Sequence, residues 1–473
     1  MKKTIFFIFL LLMTISLFGQ APYPKGCILD PEVYKTVNAI SKTTTRSFDN
    51  LPASYSLKEY TAIPGNQSSQ GSCTGWATTY AARTILESIS LNRTNQNESK
   101  NEGFSPSFIY NRIKVDPNSC TQGSAINQAL DLLKSQGCLK LKDFNYISND
   151  CSKIPSNEEI QRAGSYKIKD FVRLSGFNID KNDMVNNIKK ALVNKNPVAI
   201  GFTCYSSFGN AKEVYNVIPE NKFPGGHAVC IIGYDDNKFG GAFEIMNSWG
   251  VNWGNKGYTF IRYTDIINDS YFQAYQLIGD FKEDPAPVYN AFSGTVKLMK
   301  DNGEEFKPIL STDVKRDFEI ISTESPTYKI VNAAKSGDKF RVLFNTNKAS
   351  YIYLISYGTA TKIAKPIFPF ENFSALLNAN SEIAIPNENY YIQLDKNIGT
   401  DYLTILYSKD ILDINEVCKQ INLKTGSFIQ RLNDMLGKHI TGNEIKFNEA
   451  KISFETDYTR SKLLPIVIEF QHK

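Results

Sequence analysis

The sequence predicts an α+β chain with a two-lobed first domain and a mostly-β second domain. In the first half, apolar residues recur with a helical period early on, and short β-branched runs follow later. In the second half, short aromatic and β-branched segments dominate, which favours a sandwich or barrel. A stretch with two prolines and three charges separates the halves. The predicted units are a signal segment (1–20), an N-terminal arm or prosegment (21–50), the first domain (51–281), a linker (282–290) and the second domain (291–473).

Composition excludes some classes of function. The chain has 473 residues, of which 42% are hydrophobic and 21% charged, as in ordinary globular proteins. The formal charge of +5 is not concentrated in a dense Lys/Arg run, so nucleic acid is not an expected partner.

The first residues, "MKKTIFFIFLLLMTISLFGQ", have two lysines, an apolar run and then small and polar residues. This layout is typical of a secretory signal peptide, with cleavage near Gln20. A membrane anchor is the alternative, since the run is slightly below spanning length. An exported, extracytoplasmic protein is expected, in which disulfides can persist.

Each element of the first domain has its own signal. The helix that opens at Cys73 repeats apolar residues at Trp76, Ala77, Tyr80 and Ala81. Further helices are predicted at 105–113 (N-cap Ser105), 124–136 (N-cap Ser124) and 182–196, and strands at 198–204, 227–235, 241–249 and 257–263. The second domain has predicted strands at 294–300, 350–356, 389–394, 402–408 and 465–470, with helices near 414–436.

Cys73 is the first candidate for chemistry. It lies where a loop rich in Gly and Ser becomes an apolar helix, and a helix N-terminus lowers the pKa of a thiol. In an exported chain with eight cysteines, a disulfide is the alternative fate for any one of them.

A nucleophilic cysteine needs a base, and the chain has three histidines. His472 is the penultimate residue and is expected to be frayed, and His439 lies in a polar turn. His227, at the mouth of a strongly apolar strand, is the remaining candidate. Asn247 ends the next strand and can orient the ring of His227. Taken alone, His227 can equally be a structural histidine and Asn247 a turn residue.

Together these segments resemble the papain-like cysteine peptidases over residues 51–280. The matching segments are "LPASYSLKEY…IPGNQ", Gln67-"SSQGS"-Cys73, "GGHAVCIIGYD" and "NSWGVNWGNKGY". The resemblance implies a helical lobe and a β-barrel-like lobe around a cleft. It also implies a cysteine peptidase acting on polypeptide substrates without a metal or other cofactor.

The resemblance also implies roles for individual residues. Cys73 is the nucleophile, His227 the acid and base, Asn247 its orienting partner, and Gln67 an oxyanion donor. Two further residues have implied roles in the cleft. Trp249 covers the His–Asn contact, and Gly123 offers backbone to the substrate strand.

The chain departs from the family pattern at two positions beside the nucleophile. Gln70 stands where the family has a cysteine, and Thr74 stands where it has a tryptophan. The spare cysteines Cys120, Cys138 and Cys151 can pair among themselves, in a connectivity that the sequence does not define.

No long inhibitory propeptide precedes Leu51, so latency would come from the short arm or from the second domain. The second domain is similar to a bacterial domain of unassigned function, and a surface, glycan or protein ligand is a guess from its architecture.

Two other functions stay open at this stage. One is a peptidase-like binding or adhesion protein without turnover. The other is an acyl transferase, such as a transpeptidase or transglutaminase, that uses the same thiol.

Overall fold

The computed structural model describes residues 23–222, 224–279, 291–311, 325–436, 445–457 and 463–473. The predicted signal segment and linker lie outside these residues. The helices are α1 (Pro31–Lys35), α2 (Cys73–Gly75), α3 (Thr84–Ser90), α4 (Gln96–Asn101), α5 (Pro106–Ile113), α6 (Ile126–Ser135), α7 (Asn157–Ala163), α8 (Lys181–Val193), α9 (Tyr263–Ile267), α10 (Ile414–Leu423) and α11 (Phe428–Leu436). The strands of the first domain are β1 (Ser54–Ser56), β2 (Asp170–Arg173), β3 (Val198–Thr203), β4 (Gly226–Asp235), β5 (Ala242–Met246), β6 (Tyr258–Arg262) and β7 (Gln273–Ile278).

The strands of the second domain are β8 (Ala291–Lys300), β9 (Pro308–Leu310), β10 (Thr327–Ile330), β11 (Lys339–Thr346), β12 (Ser350–Gly358), β13 (Ala364–Phe368), β14 (Leu376–Leu377), β15 (Ser381–Ile385), β16 (Ile392–Gln393), β17 (Gly399–Ser408), β18 (Lys446–Phe447), β19 (Ile452–Asp457) and β20 (Leu463–His472). The α+β fold class is confirmed, with helices and antiparallel strands first and a mostly-β region after them.

The first domain pairs a group of helices with one antiparallel sheet. The sheet order is β2-β7-β3-β4-β5-β6, and β1 pairs with β4. The central helix runs from α2 to α3 through a wider π-type segment, Trp76–Arg83, which is almost wholly buried. Every residue of β3 and nearly every residue of β4 is buried, so these strands form the centre of the core. The ends of β4 and β5 face the helices.

The helix and strand predictions missed several elements, and the start of one helix needs correction. Helix α6 begins at Ile126 with Ala125 as its N-cap, so Ser124 does not cap it. The backbone of Ser124 is instead paired with another segment, described below. Strands β2 and β7 were not predicted, although they form one edge of the sheet.

The second domain is a sandwich of two sheets. Their orders are β13-β12-β17-β20-β10-β9, with β14 on β12, and β15-β11-β8-β19-β18, with β16 on β11. The inner faces enclose an apolar core that includes Ile352, Ile405, Val342 and Leu298. The outer face of β12 and β17 packs against α10 and α11, because alternate residues of a strand point to opposite faces.

The two domains share polar contacts as well as apolar ones. Gln276 donates through its side-chain amide to Asn378 Oδ1 at 2.9 Å, and both side chains are buried. Tyr351 donates its hydroxyl to Asp170 at 3.3 Å, and Lys169 pairs with Asp410 at 3.3 Å. The first domain is therefore packed directly against the sheet of the second domain that contains β12 and β17.

Within the described residues, no helix is long and apolar enough to cross a membrane.

Candidate active site

Cys73 is the first residue of the central helix, and its side chain is completely buried. Burial raises the pKa of its thiol to about 11, and backbone hydrogen bonds at Ala228 and Thr74 oppose that rise. Ala228 directly follows His227 on β4. The helix N-terminus and the start of β4 thus meet at the thiol.

His227 has one bonded and one unpartnered ring nitrogen. Its Nε2 lies 2.8 Å from Oδ1 of Asn247, whereas no described group pairs with its buried Nδ1. Three aromatic rings surround the imidazole, and Trp249 is the nearest, with ring centroids 4.6 Å apart; the others are Phe202 and Phe208. Burial lowers the pKa of His227 to about 4, and the charge of Lys25 adds to that shift.

Gln67 is held by hydrogen bonds on both ends of its side-chain amide. Its Oε1 accepts from the hydroxyl of Ser248 at 2.6 Å, and its Nε2 donates to the carbonyl of Gln70 at 2.7 Å. The backbone N–H of Gln67 donates to the carbonyl of Ser248 at 2.8 Å. The loop before Cys73 is therefore tied to the Asn247–Trp249 segment. Ser248 was not predicted, and its place beside Asn247 in "NSWG" was the available signal.

The two departures beside the nucleophile have visible consequences. Gln70 donates to the carbonyl of Ile147 at 2.6 Å, so a hydrogen bond joins these loops where the family has a cysteine. Thr74 donates its hydroxyl to the carbonyl of Ser124 at 3.0 Å. A disulfide joins Cys120 and Cys151, with Cα atoms 5.6 Å apart, while Cys138 is a buried free thiol.

The cleft beside Cys73 is filled by the N-terminal arm. We call residues 23–30 the cleft segment. The N–H groups of Gly26 and Cys27 donate to the carbonyl of Gly226 at 3.2 and 3.0 Å. On the opposite wall, Ser124 donates its N–H to the carbonyl of Gly26 at 2.8 Å and accepts from Ile28 at 3.1 Å. An extended piece of the chain's own polypeptide is therefore hydrogen-bonded to both walls of the cleft.

Trp249 and Gly123 both contact this segment. The Trp249 indole N–H donates to the carbonyl of Pro24 at 3.1 Å, and its ring stacks on Tyr23 at 4.4 Å. Gly123 approaches so closely that a Cβ there would lie 2.2 Å from the carbonyl oxygen of Gly26. The wall's backbone bonds are made by Ser124, the residue after Gly123.

Gly26 has no room for a side chain. A Cβ at this position would lie 2.1 Å from the carbonyl oxygen of Gly71, which is backbone and cannot move aside easily. Since the carbonyl of Gly26 accepts from Ser124, it is directed at the cleft wall rather than at Gln67. Burial raises the pKa of the Cys73 thiol and lowers that of His227, so both groups are uncharged near neutral pH while the cleft segment is in place.

The other two histidines differ from His227. His439 lies outside the described residues. The expectation that His472 is frayed is wrong, because it is the buried last residue of β20. Its Nδ1 is 2.9 Å from Asp401 Oδ2, and its Nε2 is 3.1 Å from Ser336 Oγ. Strand pairing with β17 holds it in place, since Gly399 is its register partner.

Comparisons with known proteins match both parts of the chain. Residues 51–273 match the family described as "Papain family cysteine protease", and residues 333–410 match a domain of unknown function, DUF4384. The predicted papain-like resemblance is thereby confirmed for this region, which supports a cysteine peptidase.

Individual relatives are distant. An uncharacterized peptidase C1-like protein of Acanthamoeba polyphaga mimivirus is 24% identical over 56% of this chain and 84% of its own length. A cathepsin B-like cysteine proteinase 3 of Ostertagia ostertagi is 30% identical over 23% of this chain and 63% of its own length. Among solved structures, xylellain, a cysteine protease from Xylella fastidiosa, is 24% identical over 55% of this chain and 96% of its own, with a TM-score of 0.44.

Proposed function

We propose that this chain, whose residues 51–273 match the papain family, is a secreted cysteine endopeptidase in a latent form. The observation that carries the proposal is the cleft segment. An extended polypeptide makes backbone hydrogen bonds to Ser124 and Gly226 on either side of Cys73. Backbone bonds of this kind bind a peptide largely irrespective of its side chains. A cleft that holds one extended segment so closely suits polypeptide substrates.

The catalytic step follows from the groups around the thiol. His227 takes the proton of Cys73 on Nδ1, the nitrogen that has no partner among the described residues, while Asn247 holds Nε2. The thiolate attacks the scissile carbonyl, and the imidazolium then gives the proton to the leaving amine. Water, activated by the neutral imidazole, releases the acyl group as a carboxylate and regenerates the thiol.

The oxyanion of the tetrahedral intermediate also needs hydrogen-bond donors. The side-chain amide of Gln67 and the backbone N–H of Cys73 are the proposed pair. Ser248 supports this role, because its bond to Gln67 Oε1 fixes which end of the amide carries the donors. The donors are therefore oriented before substrate arrives.

In the latent form the cleft segment has to leave before the thiol reacts. Its departure hydrates Cys73 and His227, which removes the largest cause of both pKa shifts. The thiolate–imidazolium pair then becomes accessible near neutral pH.

Export fits the same assignment. The signal-like first residues and the Cys120–Cys151 disulfide both suit an extracytoplasmic site.

Labelling by a thiol-directed peptidyl epoxide tests the proposal. We expect Gly26→Ala to displace the cleft segment and expose the thiol, whereas Gly164→Ala, with nothing within 4 Å of its Cβ, leaves labelling unchanged. In the Gly26→Ala background, Cys73→Ala should abolish both labelling and peptide hydrolysis. Cys418→Ala, at a buried thiol in the second domain, should abolish neither. Labelling that persists in Cys73→Ala contradicts the proposal, and labelling with aminolysis but no hydrolysis favours acyl transfer.

A further inference from the structure

The N-terminal arm has a second bound part, which we call the strap (residues 39–47). It lies between the two domains. On the side of the second domain, Ala39 donates its N–H to the carbonyl of Asn372 and accepts from the N–H of Ser374, both at 2.8 Å. On the side of the first domain, the N–H of Ile40 donates to the carbonyl of Arg173 at 3.0 Å. The strap is therefore bonded to both domains.

The C-terminal end of the strap repeats this arrangement. Thr44 donates its N–H to the carbonyl of Glu382 at 2.8 Å, and the N–H of Glu382 donates to Ser47 Oγ at 2.9 Å. Lys190 of the first domain donates to the carbonyls of both Ser47 and Asn380, at 3.0 and 2.8 Å. Lys190 is 7% exposed, so one buried ammonium ties together the first domain, the strap and the second domain.

The turn that connects the cleft segment to the strap is different. In residues 30–36, every side chain except that of Tyr34 is exposed. Helix α1 in this turn has only five residues, and helices this short are marginal by themselves. Tyr34 is the anchored residue of this turn, since its hydroxyl lies 2.7 Å from Ser175 Oγ and donates to the carbonyl of Ala274 at 3.0 Å. The exposed residues before Tyr34 are accessible to a peptidase, whereas most of the strap is buried.

We propose that the second domain is the anchor for the chain's own strap, and that activation cuts the chain between residues 30 and 36 so that the active enzyme keeps the strap. One water adds across one peptide bond, which leaves a carboxylate on the cleft segment and an amine on the strap. A peptidase acting on the exposed turn supplies the cut. The cleft segment then loses its tether and dissociates, while the strap stays between the domains.

The first test is hydrogen exchange at residues 39–47 in the uncut full-length chain, which needs no catalytic activity. Lys190→Met removes the ammonium and its two bonds to strap and domain. Lys189→Met is the matched control, because the neighbouring Lys189 pairs with Asp236 at 2.7 Å. We expect exchange in the strap to be at least about fivefold faster in Lys190→Met, because two hydrogen bonds from a buried charge are lost, and unchanged in Lys189→Met, with both chains folded by circular dichroism. Equal exchange in the two variants overturns the anchoring role.

The second test places a recognition sequence for a site-specific protease between Asp30 and Pro31. A control chain carries it after Asn302, in an exposed turn of the second domain. Cutting the first chain should increase epoxide labelling of Cys73 at least tenfold, and cutting the control should not. Mass spectrometry should then find the strap retained. Trimming of the active chain to Phe48 or beyond overturns the inference.

The inference rests on the proposed peptidase function, but its failure is distinguishable from the failure of that function. A chain that loses the cleft segment, keeps the strap and still neither labels nor hydrolyses peptide refutes the peptidase. Hydrogen exchange and mass continue to report on the anchor in that case.

Discussion

The cleft and the edge of the sandwich each contain a histidine, His227 and His472, and the two imidazoles differ in their hydrogen bonds. Both imidazoles are buried. His472 has both ring nitrogens bonded, to a carboxylate at Asp401 and a hydroxyl at Ser336. His227 has one nitrogen bonded to a neutral amide at Asn247, and no described group pairs with the other.

The two histidines are both buried, but only His227 has a ring nitrogen without a hydrogen-bond partner among the described residues. A buried polar atom without a partner costs about 1–3 kcal/mol, so a fold retains one where another role outweighs the cost. The backbone near Ser336 is also hydrogen-bonded. The N–H of Ser336 donates to the carbonyl of Lys473, and the N–H of Gly337 donates to the carbonyl of Leu394. We therefore expect His472 to be structural, whereas the proposed function uses the unpartnered ring nitrogen of His227.

The largest test of this contrast is His227→Gln. In the Gly26→Ala background we expect peptide hydrolysis to fall by about 10³-fold or more, because the thiol loses its proton acceptor. His472→Gln in the same background should change the rate by less than about twofold. A rate assay with a fluorogenic peptide measures both, and comparable losses in the two variants would remove the distinction.

The next effect concerns pH and the uncut chain. With the cleft segment bound, the pKa of His227 is about 4, against an ordinary 6.5. A histidine with a lowered pKa binds protons more strongly once it is released, so the closed form is fully favoured above pH 6.5 and is weakened as pH falls toward 4. Besides burial, the charge of Lys25 on the arm also lowers the pKa of His227, and the hydrogen bond with Asn247 opposes that shift.

The lowered pKa of His227 corresponds to a gain of about 10²-fold in the open fraction between pH 7 and pH 4. Hydrogen exchange at residues 23–30, corrected for the intrinsic pH dependence of exchange, measures it. His227→Gln should lose this pH dependence, and His472→Gln should keep it. Opening that increases with rising pH would reverse the assignment.

A smaller loss is expected from Gln67→Ala. Removal of one oxyanion donor should lower turnover by about 10²-fold in the Gly26→Ala background, with the substrate concentration for half-maximal rate little changed. The chemical step is affected because the amide meets charge that develops only in the transition state. Gln70→Ala removes a neighbouring amide that is bonded to Ile147 and should leave turnover nearly intact. Equal turnover in the two variants would exclude Gln67 from the site.

The smallest expected effect is a loss of stability when His472 is replaced. His472→Ala leaves Asp401 and Ser336 without their ring partner and should lower the free energy of unfolding by about 2 kcal/mol. Urea denaturation of the full-length chain measures it. His227→Gln should cost less than about 1 kcal/mol, because it keeps most of the side-chain volume. A larger loss at His227 would assign it a structural role.

Four candidate residues of the cleft could be named from the sequence because their signals are local. Gln67, Cys73, His227 and Asn247 each lie in a short motif, and the structure brings the segments that hold them together around the start of β4. Their catalytic roles stay proposals that the variants above test. The disulfide needed a choice among three cysteines, which is a question of distance in space and not of spacing in sequence.

The sequence predicts the arm or the second domain as the source of latency, but the path of the arm was beyond sequence reasoning for a physical reason. Residues 23–47 have no clear apolar period, and the bonds that hold them are mostly long-range backbone bonds that any residue except proline can make. Ser124 illustrates the same limit. Its position before an apolar run favours an N-cap, but its backbone is taken by Gly26 and Ile28, so the helix begins later. His472 was misjudged because position near a chain end says little about strand pairing.

The close approach of Gly26 to Gly71 has one more consequence. Under the proposed function, a substrate and the chain's own residues 23–30 would compete for the carbonyl of Gly226 and the amide of Ser124. A methyl group added at Gly26 is then expected to raise the activity of the uncut chain. Substitutions in this short stretch would change the activity of the uncut chain without altering the cut enzyme.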